Sequence, residues 1–99
     1  MAFERWIGLE IRDRETYARY REHMTPILEK YGGHFRYDFW IAETLRSESE
    51  KPIERLFALV FPSSEAKESF FADPDYKIVK EKYFTPSVAS VTTLAEFER

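Results

Sequence analysis

The chain opens on a period of two. Ile7, Leu9 and Ile11 alternate with Trp6, Gly8 and Glu10, which predicts a strand over Phe3–Arg12 with two unlike faces. The period then lengthens. Tyr17, Tyr20, Met24, Ile27, Leu28 and Tyr31 recur at steps of three and four, the stripe of an amphipathic helix. Asp13 is placed to cap that helix, with Glu15 in its first turn. Pro26 predicts a kink inside it, and Gly32-Gly33 predicts its end.

A second strand is predicted from His34 to about Leu45. Strict alternation puts Phe35, Tyr37, Phe39 and Ile41 on one face and His34, Arg36, Asp38 and Trp40 on the other. Ser47 to Pro52 is a polar connector. Ile53–Phe61 reads as a third strand, and its run Leu56-Phe57-Ala58-Leu59-Val60-Phe61 is apolar on both faces, as a central strand is. Ser63 or Ser64 caps a second helix. Asp73-Pro74 restarts it, with Asp as cap and Pro in the first turn, and the helix continues to Pro86. Val88–Phe97 is β-branched-rich and predicts a last strand.

The order βαββαβ is the split βαβ, or ferredoxin-like, arrangement of an α+β domain spanning 1–99. Right-handed crossovers put both helices on one face of an antiparallel sheet. Phe35, Tyr37 and Phe39 suit the covered face. The bare face then carries Trp6, Gly8, Glu10, His34, Arg36, Asp38 and Trp40.

Composition sharpens this picture. Aromatics make up 17% of the 99 residues, more than a small monomer hides readily. A second burial surface follows, such as a subunit interface or a ligand cavity, and two bare sheet faces packed together in a homodimer would supply it. There is no cysteine, which removes disulfides, thiol nucleophiles and thiolate metal sites. A net charge of −3 with scattered basic residues argues against nucleic acid as a partner. No signal peptide or membrane-spanning run is visible, so a cytoplasmic location is expected.

The turns and caps carry a resemblance. Tyr31-Gly32-Gly33 after a proline-bearing helix, Phe61-Pro62-Ser63-Ser64-Glu65-Ala66 and Asp73-Pro74-Asp75-Tyr76 resemble an uncharacterised bacterial family of the dimeric α/β-barrel superfamily. Arg21-Glu22-His23 through Pro26 to Gly33 is also similar to the NIPSNAP-type branch. The resemblance implies a dimeric fold. It does not specify a reaction, since the superfamily holds cofactor-independent monooxygenases, isomerases, haem-degrading enzymes and proteins without known activity. After Gly33 the chain departs from that family, with His34-Phe35-Arg36-Tyr37-Asp38-Phe39-Trp40 in place of an arginine, aliphatic residues and a glycine pair.

Candidate chemistry gathers on the bare face. Arg36 could clamp an acidic group and Trp40 or Trp6 could stack on a planar ring. His34, Asp38 or Glu10 could move a proton if burial tuned it. The plainer alternatives are an Arg36–Asp38 pair at a subunit interface and a Glu10–Arg36 bridge. His23 stands alone on its helix without the partners a metal needs, and Ser63 and Ser64 lack a nucleophile elbow. Neither a metal nor a cofactor is expected. Three readings follow: a homodimer binding a small, partly aromatic or acidic molecule; a cofactor-independent monooxygenase or isomerase; or an interaction module using the charged hairpin 46–54. Whether the protein is an enzyme stays open at this stage.

Overall fold

In the computed structural model, which describes residues 1–99, the first strand is β1 (Phe3–Ile11) and the long helix is α1 (Arg14–Lys30). Asp13 caps α1, its carboxylate accepting from Thr16 N at 3.1 Å. Tyr17, Tyr20, Met24 and Leu28 form its buried stripe. The helix runs through Pro26 to Lys30. Gly32 stops it with φ of 76°, a conformation costly for any residue with a Cβ, while Gly32 N and Gly33 N bond back to Glu29 O and Leu28 O.

Two further strands follow, β2 (His34–Trp40) and β3 (Arg55–Phe61). Both are shorter than alternation predicted, because residues 41–54 leave the sheet as a loop. The second helical region is α2 (Ser64–Ala72), α3 (Pro74–Val79), a π-helical turn at Lys80–Phe84 and a last turn at Thr85–Ser87, before β4 (Val88–Glu98). Ser63 is the α2 cap, accepting from Ala66 N at 3.1 Å. Asp73 caps α3 through Asp75 N and Tyr76 N, and its second oxygen accepts from Tyr31 Oη at 2.6 Å.

The strand order is β2-β3-β1-β4, antiparallel throughout, so β1 and β3 are central. This is the ferredoxin-like fold. The helices lie on one face, over Ile7, Leu9, Phe57, Leu59 and Phe61, all buried. No helix is long and apolar enough to cross a membrane.

Candidate functional site

The register of β2 decides which side chains share a face. Phe35 pairs with Leu59 and Tyr37 with Ala58, although these partners are adjacent in β3. Arg36 is therefore an extra residue in a bulge, and it inverts the alternation beyond it. His34, Arg36, Tyr37 and Phe39 face away from the helices, while Phe35, Asp38 and Trp40 face towards them. The sequence expectation for Tyr37, Phe39, Asp38 and Trp40 is thus reversed. Trp6 and Arg36 share the open face as expected, and Trp40 lies on the opposite side of the sheet.

On the open face, Trp6 and Tyr37 flank Ala58 in register, and their rings stack at 5.5 Å over that fully buried alanine. Phe39 extends the stack at 6.2 Å. Beside it lies Glu4, only 2% exposed. Its carboxylate accepts from Trp6 Nε1 at 2.6 Å and Arg36 Nη1 at 3.1 Å, with Arg99 Nε at 3.4 Å. Burial pushes this carboxyl up, but the two hydrogen bonds and two guanidinium charges outweigh it and hold it below its ordinary value. Glu4 is thus the partner of both Trp6 and Arg36, a role that alternation alone did not suggest. Glu10 instead accepts from Ser90 Oγ at 3.0 Å. The far end of the face is covered by the chain itself. Ile53 sits on Gly8, where an added Cβ would lie 2.9 Å from it. Lys51 Nζ donates to Val91 O at 3.3 Å, so the loop crosses to β4.

Beneath the helices, Asp38 is gripped from two elements. Arg55 donates to it through Nε and Nη2 at 2.9 and 2.8 Å, and Arg21 of α1 reaches it at 2.5 Å. Partial burial raises the Asp38 carboxyl, but the arginine hydrogen bonds and charges prevail and lower it. Trp40 lies against two cations, Arg14 at 4.1 Å and Arg55 at 4.5 Å from its ring centre. Arg36 and Asp38 form no pair. His34 is exposed on an edge strand, and His23 stacks on Tyr83 at 4.8 Å. The three proton-transfer candidates are dispersed, with His34 and Glu10 on the open face and Asp38 on the other.

A cavity of about 170 Å³ lies between the helices and the sheet. Of its 15 lining residues, 13 are hydrophobic or aromatic, so its body is suited to an apolar molecule. Leu9, Phe57 and Leu59 form the floor, Met24 and Phe70 part of the wall, and the exposed Lys80 and Val91 stand at its mouth. The π-helical turn supplies Lys80 and Phe84 to the wall, and Ser87 Oγ donates to the carbonyls of Tyr83 and Phe84. Turns of this kind recur at functional sites because they widen the helix locally. Arg5 enters from β1, its Nε 2.6 Å from Glu96 in an ion pair not aligned as a hydrogen bond. The Tyr20 and Tyr76 hydroxyls are 2.9 Å apart, and Tyr17 accepts from Arg21 Nη1 at 3.0 Å. Burial raises all three phenols, Tyr20 the most, so they stay protonated. Helical spacing marks Tyr17 and Tyr20 as core residues, and nothing in that pattern separates a packed core from one with a cavity. The aromatic excess was the one available signal.

Known proteins share this fold. Residues 6–96 match the model of a domain of unknown function, DUF1330. The chain belongs to that family. No curated protein matches it. Among solved structures, it is similar to the RPA0582 protein of unknown function from Rhodopseudomonas palustris, with a TM-score of 0.84, 18% identity, and coverage of 99% of this chain and 82% of that one. A NIPSNAP-like domain protein from Burkholderia xenovorans superposes at 0.67, with 12% identity over 99% and 84% of the chains. A putative antibiotic biosynthesis monooxygenase from Bacteroides thetaiotaomicron superposes at 0.61, with 19% identity over 98% and 89%. At these identities the likeness is one of fold.

Proposed function

We propose that the protein binds a small, largely aromatic molecule in the cavity between its helices and its sheet. One observation carries this reading: about 170 Å³ of space walled by aromatic and aliphatic side chains within the core of a 99-residue chain. An apolar cavity of about 150 Å³ is enough to take up benzene. Binding ranks ahead of monooxygenase or isomerase catalysis because His34, Asp38 and Glu10 do not converge on one point and none of them lines the cavity. The charged hairpin 46–54 is a weaker candidate for an interaction module, since part of it is bonded to the chain's own β4. A titration with toluene, followed by methyl and aromatic NMR, tests the binding reading. Saturable shifts at Met24, Leu59 and Phe84, abolished by Val91→Trp at the mouth, are expected. Unmoved resonances would refute it.

A second reading concerns the open face. Tyr37, Phe39, Leu94 and Phe97 are each exposed by 42–49%, around the Trp6 ring and the Glu4–Arg36 pair. A second copy packed there would cover them and make a homodimer, with Trp6 and Arg36 at the interface. Sedimentation should show a dimer that Phe39→Glu converts to monomer. A monomeric wild type at high micromolar concentration would remove this reading and leave the cavity untouched.

A further inference from the structure

The polar groups of the cavity narrow its ligand further, an inference that rests on the cavity being a binding site. Its polar lining consists of Arg5, Lys80 and three tyrosines. None is a carboxylate or an amide, so every one can donate a hydrogen bond and no dedicated acceptor is present. The tyrosines can be counted proton by proton. In the Tyr20–Tyr76 pair one hydroxyl donates to the other, which leaves the second O–H without a protein acceptor. Tyr17 oxygen is itself an acceptor, from Arg21, so its own proton is equally uncommitted. Tyr20 and Tyr76 are 5% and 4% exposed, and a donor buried this far from water is stabilised by any acceptor brought to it.

Charge limits what that acceptor can be. Arg21, which donates to Tyr17, is already engaged by Asp38 and lies 3.7 Å over the Phe35 ring, and Arg5, the guanidinium in the cavity lining, is paired with Glu96. A carboxylate at the tyrosine pair would be desolvated beside guanidinium groups already paired with carboxylates, since the unpaired Lys80 stands exposed at the mouth. A neutral carbonyl meets no such penalty, and in accepting from one hydroxyl it polarises the pair behind it.

We propose that the cavity takes neutral aromatic carbonyl compounds, aldehydes or ketones, with the carbonyl oxygen accepting from the Tyr20–Tyr76 pair and the ring lying among Leu59, Phe70 and Phe84. No bond is made or broken in this recognition.

Isosteric probes test it. Acetophenone, ethylbenzene and benzoate differ at one polar group on the same ring. Acetophenone should bind the wild-type chain at least tenfold more tightly than ethylbenzene, and its carbonyl ¹³C resonance should move downfield on binding. Tyr20→Phe/Tyr76→Phe keeps the ring volumes, and it should abolish both the preference and the shift while ethylbenzene binds as before. Ethylbenzene bound as tightly as acetophenone would overturn the carbonyl assignment and leave the cavity standing. Benzoate bound more tightly than acetophenone would also overturn it, in favour of an anion. A preference that survives the double variant would remove the tyrosine pair from the site. If the double variant fails to fold, the comparison of the three probes on the wild type still decides the ligand class. Failure of all three probes to bind would defeat the cavity reading itself.

Discussion

The two faces of this sheet use the same four strands and solve different problems. The face under the helices is closed within one chain, with Ile7, Leu9, Phe57 and Leu59 packed against Tyr17, Met24 and Phe70. A three-membered charged cluster there, Arg21–Asp38–Arg55, ties β2, β3 and α1 together. The opposite face is closed only at one end, where Ile53 covers Gly8. Elsewhere it combines a buried, doubly paired carboxylate with exposed aromatic rings. The open face buries a charge yet leaves Phe39 and Phe97 half-exposed, whereas the helix side closes around internal space. On the reading proposed above, ligand uptake belongs to the helix side and association to the open face.

The largest effect should come from core truncation. Phe70, fully buried, should lose about 3–5 kcal/mol as Phe70→Ala, against about 1 kcal/mol or less for the half-exposed Phe39→Ala. Urea unfolding at low protein concentration measures both, and equal losses would erase the distinction between the faces. Next are the ion clusters. Asp38→Ala strands two arginines whose side chains are 15% exposed, with an expected cost of about 2–3 kcal/mol after allowing for the partial exposure of the carboxylate. Arg36→Ala leaves Glu4 its Trp6 and Arg99 partners, and should cost about 1 kcal/mol.

The pH dependence extends the comparison. Glu4 and Asp38 both sit below their ordinary values, so the unfolded chain takes up protons first as the pH falls. Their stabilisation is complete above the ordinary carboxylate range and drains away below about pH 4. Glu4→Gln should flatten the open-face share of that slope and Asp38→Asn the helix-side share, read as urea midpoints against pH. In alkali the signs reverse. Tyr17, Tyr20 and Tyr76 are raised, so the stability they contribute holds up to about pH 10 and falls above it, as the unfolded chain ionises first. Phenolate absorbance from these three should rise only with unfolding. A comparably small effect, about 1 kcal/mol, is expected at Gly8→Ala, because the flexible Ile53 side chain can give way. Hydrogen exchange should quicken at Ile41 and Glu54, whose amides tie the loop ends, with no change in α1.

Local chemistry made the fold legible. Asp13, Gly32, Ser63 and Asp73-Pro74 each satisfy or terminate backbone groups within a few residues of themselves, and each took the part its sequence context predicted. The apolar run 56–61 announced a central strand for the same reason. The faces of β2 were not legible, because one extra residue at Arg36 inverts every side chain after it and carries no composition signal of its own. Of the candidate site, Trp6 and Arg36 were correctly placed on one face, while Glu4 went unseen because its partners come from positions 6, 36 and 99.

The sequence by itself determined the order of elements, their caps and the central position of β3. Those follow from interactions between near neighbours, and chain connectivity supplies the neighbours. Only the tertiary structure decided the bulge, the Glu4 network, the crossing of the 41–54 loop and the cavity beneath the helices. Each depends on how distant segments meet, and a volume left unfilled belongs to no single residue.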